Sequence, residues 1–217
     1  MAAEERLRVT VFDTKRQPPK KTDKGSRVIY TDGSFATKVE NAKAGYSVVM
    51  YQKTEKGTLR TLQARSGRVV LDRQHQHYRG ARLHSNNTGE MTALLRAIEM
   101  ASEHPERVEF RVDSTYAINI ATGKFRLPAR GKGNWELAAR LRNALRRLQA
   151  AKGHDNVNIV HVRSHTGHVG NEVADILAKE GTELNEEMAR NWVYLDEVER
   201  RMFAHAQPQH RKAARRK

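Results

Sequence analysis

The chain is 217 residues long, carries 40 Lys and Arg against 25 Asp and Glu for a formal net charge of +15, and contains no cysteine. That length suits one domain with a real hydrophobic core and some extra chain at the ends, while the missing cysteines exclude a disulfide framework, a thiolate nucleophile and a cysteine zinc site. The basic balance presents a positive field to any polyanion, which makes a nucleic acid backbone the expected partner, and no apolar run approaches membrane-spanning length.

The first residues, MAAEERLRV, bring acids early and no apolar core, so neither a secretion signal nor an acid-poor transit peptide is expected. A soluble, intracellular, cytoplasmic protein without a membrane partner follows. The stretch RQPPKKTDKG cannot bury enough surface to fold alone, and residues 1–26 read as a basic flexible tail. From Arg27 the pattern changes to VIYTDGS, AGYSVVMYQ and TLRTLQARSGRVV, three β-rich runs separated by polar turns, which read as an antiparallel meander. A polar stretch, RQHQHYRGARLH, leads to a helix with Met91, Leu94, Leu95 and Ile98 at helical spacing, ending near His104-Pro105. The run VEFRVDS is a short strand feeding the short helix STYAINIA. The basic, Gly/Pro-broken loop GKFRLPARGKG then delivers the chain to a helix capped by Asn134, with Leu137, Leu141, Leu145 and Leu148 on its apolar face. VNIVHV is expected as the last strand, SHTGHVGN as a loop, and EVADILAKEG as a helix stopped by Gly181. Residues 182–217 read as helical through MARNWVYLDEVERRMF and then as the basic tail HRKAARRK.

Four acids lie where a strand ends or a helix begins: Asp32, Glu90, Asp113 and Asp175. Each has an ordinary use. Asp32-Gly33 is a common turn dipeptide, Asn87 and Glu90 could form a capping-box-like pair, Asp113-Ser114 could cap a helix, and Asp175 could pair with Lys179 one turn on. The element order β-β-β-α-β-α-α-β-α predicts an α/β sheet in which the first and fourth strands, lying side by side, would bring Asp32 and Asp113 together. Four carboxylates gathered there demand divalent cations. His75, His77 and His84 lack the spacing of a closed tetrahedral set, so no zinc site is expected from them.

The blocks TDGS, NNTGE, VDSTYA and HVRSHTGHVGNEVADILA, in that order, resemble type 1 ribonuclease H over about residues 27–181. The resemblance implies an RNase H-like α/β fold, a five-stranded mixed sheet of antiparallel meander plus parallel strands with helices on both faces. It makes 27–181 a catalytic domain and 182–217 a helical and basic C-terminal extension. The implied activity is that of a monomeric endoribonuclease hydrolysing the RNA strand of RNA–DNA hybrids with two Mg²⁺ ions, replaceable by Mn²⁺, and leaving 5′-phosphate and 3′-hydroxyl ends. On this resemblance Asp32 bridges the ions, Glu90 and Asp113 complete one and Asp175 the other, while His165 handles protons from a loop. The backbone at Gly33, Ser34 and Phe35, with Glu90, meets RNA 2′-hydroxyls; Asn86 and Asn87 reach base edges in the minor groove; Ser85 and Asn134 hold a DNA phosphate.

The chain also departs from that family. The interval between Asp113 and Asn134 is short, with Lys124, Arg126, Arg130 and Lys132 supplying its charge, and Arg140, Arg142, Arg146, Arg147 and the terminal RKAARRK are candidate substitutes for substrate grip. The loop FATKVENAKAGY is poor in glycine and proline, and RQHQHYRGARLH is an enlarged insertion. A catalytically idle RNase H-like nucleic-acid-binding module of a ribonucleoprotein complex is the alternative. A recombinase or junction nuclease acting on DNA fits the NNTGE and SHTGHVGNE blocks less well.

Overall fold

The computed structural model describes residues 25–191 apart from 37–39, 55–56 and 165–167, together with Leu195 and Val198. The tails assigned to most of residues 1–26 and to HRKAARRK lie outside the described residues. The meander is β1 (Ser26–Phe35), β2 (Ala44–Lys53) and β3 (Leu59–Arg68), followed by α1 (Asn86–Ser102), β4 (Val108–Val112), α2 (Thr115–Thr122), α3 (Trp135–Lys152), β5 (Val157–His161), α4 (Val169–Gly181) and β6 (Met188–Asn191). These strands form one sheet in the order β5-β4-β1-β2-β3-β6. The β1–β4 and β4–β5 pairs are parallel, and the β1–β2, β2–β3 and β3–β6 pairs are antiparallel.

Strand alternation divides the core into two layers. Along β1, Ile29 points toward α1, α2 and α3, where Met91, Leu94, Phe110, Leu137 and Leu141 are buried, while Val28 and Tyr30 point to the opposite face with Val173 and Leu177 of α4. Helices therefore cover both faces, as the resemblance implied. One register shift at Met50/Tyr51 skips Leu62 on β3. Leu59 and Ala64, five residues apart, would face opposite ways in a regular strand, yet the extra residue puts both in the α4-side layer.

The sheet has six strands rather than five because the chain beyond α4 returns to it. Residues 188–191, expected as helix, instead pair with β3 through Ser66↔Met188, Arg65↔Ala189, Ala64↔Arg190 and Gln63↔Asn191. Leu195 and Val198, both buried, then pack into the α4-side layer. The short run Met-Ala-Arg-Asn has no β alternation of its own, and the open hydrogen-bonding edge of β3 decides its conformation. Ahead of it, Glu187 accepts from Arg96 of α1 at 2.8 Å and from the Tyr46 hydroxyl of β2 at 2.5 Å. Burial works against the Glu187 charge, but these donors hold its carboxyl below the usual carboxylate range.

Two helix-end expectations are corrected. Gly181 does not stop α4 in the left-handed region; it is the last helical residue, and Thr182 follows in ordinary helical geometry. Its missing Cβ serves packing instead, since a Cβ there would lie 2.8 Å from the Gly67 carbonyl oxygen of β3. Asn134 occupies the cap position of α3 but makes no capping bond. Its Oδ1 accepts from the Arg82 amide at 2.9 Å and its Nδ2 donates to Thr88 Oγ1 at 2.6 Å, tying the end of the RQHQHYRGARLH insertion to the first turn of α1.

Candidate active site

The site forms where the parallel strands end. The β1–β4 register runs to Thr31↔Val112, so the next residues, Asp32 and Asp113, emerge side by side. Asp32 lies inside β1 and not in a hairpin turn. Glu90 reaches them because two glycines let backbones touch. A Cβ at Gly33 would lie 2.2 Å from the Glu90 amide nitrogen, and a Cβ at Gly89 would lie 2.6 Å from the Gly45 oxygen. The glycines of TDGS and NNTGE therefore let α1 stand directly on β1, with Glu90 beside Asp32. Helix capping does not consume the acids: Ser85 caps α1 by accepting from the Thr88 amide at 3.2 Å, and Ser114 caps α2 by accepting from the Ala117 amide at 3.2 Å.

Ligand oxygens of Asp32, Glu90 and Asp113 lie within 4.8 Å of one another, the sole such grouping among the described residues that could hold a metal ion. Asp175 stands outside this trio. It is near enough for its charge to act on Asp32, but its Oδ2 accepts from Lys179 Nζ at 2.7 Å, the helix pair foreseen as its ordinary use. His165 falls in 165–167, outside the described residues. Ser85, Asn86 and Asn87 line the start of α1, with Asn86 Nδ2 donating to Glu90 Oε1 at 3.5 Å. Gly33, Ser34 and Phe35 continue β1 past Asp32. Asn134 is 9% exposed, its side-chain amide turned inward to Thr88 and the Arg82 backbone.

Electrostatics make the trio costly without a counter-ion. Burial, then the charges of Asp113 and Asp175, push the Asp32 carboxyl up to about 8, and burial, then Asp32 and Asp113, push Glu90 up to about 9. Glu90 Oε2 and Asp113 Oδ1 are buried without any hydrogen-bond partner. A set made only of carboxylate oxygens, two of them unpartnered, fits a hard divalent cation. A pH dependence follows. Both carboxyls keep protons in the folded chain above their ordinary values of 3.8 and 4.5. With respect to these two groups the folded protein then binds more protons than the unfolded one, so the stability they contribute to the metal-free chain is fully present below those values and is lost as pH rises toward 8 and 9. Mg²⁺ should raise the melting temperature more at pH 9 than at pH 6, because it competes with those protons. Equal shifts at both pH values would count against a metal at this trio.

Two groups in the site were not singled out from the sequence. Gly89 has a signal in NNTGE, where a glycine immediately precedes the acid. Asn171 lies four residues before Asp175 on the same face of α4, and its Nδ2 donates to Asp113 Oδ2 at 3.3 Å. Elsewhere, Arg142 donates to the carbonyls of Ile120 and Phe125, and Arg140 to Glu136, so these two brace α3. Lys124, Arg126, Arg130 and Lys132 are exposed on the α2–α3 loop, as are Arg146 and Arg147 on α3. His84 Nδ1 accepts from the Ala44 amide at 3.1 Å and ties the insertion to β2. No described helix is long and apolar enough to cross a membrane.

Comparison with known proteins agrees with the motifs. The chain is 36% identical over 102 residues to a ribonuclease H of Rhodospirillum rubrum, 45% of this chain and 60% of that protein. It is 41% identical over 101 residues to a ribonuclease H of Mycolicibacterium gilvum, 45% of this chain and 65% of that protein. The chain thus spans less than two thirds of the length of these relatives. Among solved structures, the N-terminal RNase H domain of a Mycobacterium tuberculosis protein aligns with TM-score 0.51 and 17% identity over 73% of this chain and 94% of that one. The RNase H domain of prototype foamy virus aligns with TM-score 0.51 and 20% identity over 72% and 94%. At such identities these likenesses speak for the fold alone. The RNase H family model matches residues 24–183. With the four motif blocks in order and that match over most of its length, the chain belongs to the RNase H family and has the type 1 pattern its motifs resemble.

Proposed function

We propose that this protein hydrolyses the RNA strand of RNA–DNA hybrids with two divalent cations, Mg²⁺ or in its place Mn²⁺, and leaves 5′-phosphate and 3′-hydroxyl ends. The observation that carries this reading is the buried trio Asp32, Glu90 and Asp113, whose oxygens converge within 4.8 Å with two of them unpartnered. Bound cations would activate the attacking water and neutralise charge at the scissile phosphate and leaving oxygen. Asp32 would be shared between the ions, Glu90 and Asp113 would complete one, and Asp175 would leave Lys179 to serve the other. His165, from its loop, would take up or return a proton.

Substrate choice follows from which strand meets which surface. The backbone at Gly33, Ser34 and Phe35 and the Glu90 carboxylate would accept or donate to RNA 2′-hydroxyls, and Asn86 and Asn87 would reach minor-groove base edges. Such edges discriminate poorly, so cleavage should show little sequence preference. Ser85 and Asn134 would hold the DNA strand by a phosphate, and the exposed cations of the α2–α3 loop would follow the nucleic acid backbone. The enzyme would work as a monomer in the cytoplasm and combine residues 27–181 with the flanking basic extensions.

Labelled hybrid, RNA duplex and DNA duplex, each incubated with Mg²⁺ or with chelator, test the reading. Cleavage of the RNA strand of the hybrid alone, lost in chelator, is the expected result. Tight hybrid binding with no cutting under any divalent cation would favour an idle binding module, for which the Asp175–Lys179 pair is the supporting observation.

A further inference from the structure

Asp113 is the single residue between the end of β4 and the cap of α2. Three further elements hold it. Its main-chain oxygen lies 3.2 Å from His161 Nε2 at the end of β5. Its Oδ2 receives the Ser164 hydroxyl at 2.9 Å from the loop after β5, and the Asn171 amide at 3.3 Å from the first turns of α4. Both side-chain donors fall on one oxygen. The other, Oδ1, is buried with no partner. A carboxylate pinned this way cannot rotate freely, and the oxygen left bare is the one free to bind.

Asn171 is the more telling of the two donors. It is 3% exposed, and while its Nδ2 serves Asp113, its Oδ1 is buried with nothing to accept from. An orphaned buried acceptor costs about 1–3 kcal/mol. Helix capping does not explain the residue: its backbone amide bonds the His168 oxygen at 2.8 Å, and α4 has no side-chain cap. Magnesium retains several waters, and each water is a donor seeking an acceptor.

We propose that Ser164 and Asn171 are positioning residues that select which oxygen of Asp113 is offered to the divalent ions, and that Asn171 Oδ1 is held for a water of the ion shell. The proposal rests on the metal-site reading of the trio. It also gives the two residues different duties. Ser164 ties the Asp113 carboxylate to the chain that follows β5. Asn171 links Asp113 to the helix that carries Asp175, so the two halves of the acidic site are set by one side chain. Groups of this kind, one bond removed from a metal, change its affinity by about 10–100-fold when lost.

The test uses the full chain and two readouts, the Mg²⁺ concentration that half-raises the melting temperature without substrate, and the Mg²⁺ dependence of hybrid cleavage. Asn171→Ala should raise both half-saturating concentrations by about 10–100-fold, with turnover recovering at saturating Mg²⁺. Ser164→Ala should shift them in the same direction by a smaller factor, and Ser164→Thr, which keeps the hydroxyl, should restore the wild-type values. A merely structural role would lower the metal-free melting temperature and leave the Mg²⁺ dependence unmoved. Should Asn171→Ala fail to fold, the exposed Ser164 pair of variants carries the test. Unchanged Mg²⁺ midpoints in both alanine variants, beside a wild type that responds to Mg²⁺, overturn the proposal and leave the metal site standing. A wild type whose melting temperature ignores Mg²⁺ overturns the metal site itself and this inference with it.

Discussion

Asp32→Asn is expected to do two opposite things at once: reduce hybrid cleavage by a factor on the order of 10²–10³ or more, and stabilise the metal-free protein. The first effect follows from position, since the Asp32 carboxylate belongs to the converging trio, feels the charges of Asp113 and Asp175, and on the proposed reading is the ligand common to both ions. The second follows from burial. At pH 9 the wild-type chain must ionise a carboxyl whose burial and acidic neighbours push it to about 8. One such unit corresponds to about 1.4 kcal/mol, and after relaxation a gain of about 1–3 kcal/mol is reasonable. For a chain of this size that is a rise of about 3–10 °C in melting temperature. Calorimetry at pH 9 in chelator, alongside the cleavage assay, reads both. An inactive variant no more stable than wild type would mean that the trio is not electrostatically strained. A variant retaining full activity would remove Asp32 from the chemistry.

Glu187→Ala is expected to destabilise the protein by about 3–5 kcal/mol, a large share of the stability of an ordinary domain. Arg96 is 6% exposed in the middle of α1, and Glu187 supplies its main carboxylate partner through both oxygens. Removing that carboxylate leaves a buried guanidinium with Glu99 as its remaining carboxylate partner among the described residues, and the Tyr46 hydroxyl loses the Glu187 acceptor as well. Glu187 lies beyond the stretch 24–183 that matches the RNase H family, so the result also reports whether the chain past that boundary is part of the folded unit. Urea unfolding of the variant, compared with Arg96→Met/Glu187→Leu, separates loss of a partner from loss of the strand. The double variant should recover most of the loss because replacing both ions with apolar groups removes the unpaired charge. A single-variant loss below about 1 kcal/mol would mean that β6 is held by its backbone bonds alone.

The cost of the acidic trio and the need for the Glu187 anchor belong to different ends of the argument from sequence to site. The strands and helices that follow hydrophobic periodicity were legible directly. Met91, Leu94, Leu95 and Ile98 form the buried stripe of α1, and Leu137, Leu141, Leu145 and Leu148 that of α3, because local spacing alone assigns those residues to one side of a helix. The order of meander and crossover elements likewise indicated the mixed sheet, since handed, short connections leave few ways to pair those strands. Asp32 and Asp113 met because adjacent parallel strands must end together, and Glu90 joined them from α1 where Gly33 and Gly89 let the backbones touch.

What the sequence left open was every feature whose cause lies far away along the chain. Residues 188–191 have helical composition and become a strand because the edge of β3 offers unpaired hydrogen-bonding groups. Gly181 looks like a helix stop and is instead a contact with Gly67, and Asn134 looks like a cap and is instead a bridge to Thr88 and Arg82. Asp175 carries a local partner, Lys179, which spacing predicts, while its electrostatic reach to Asp32 exists only in the folded chain. The residue types and their order determined the family, the layers and the acids; tertiary packing alone decided which oxygens converge, which partners they keep, and how strongly burial raises the affinity of the Asp32 and Glu90 carboxyls for protons, because desolvation and charge proximity are properties of distance in space and not of distance along the chain.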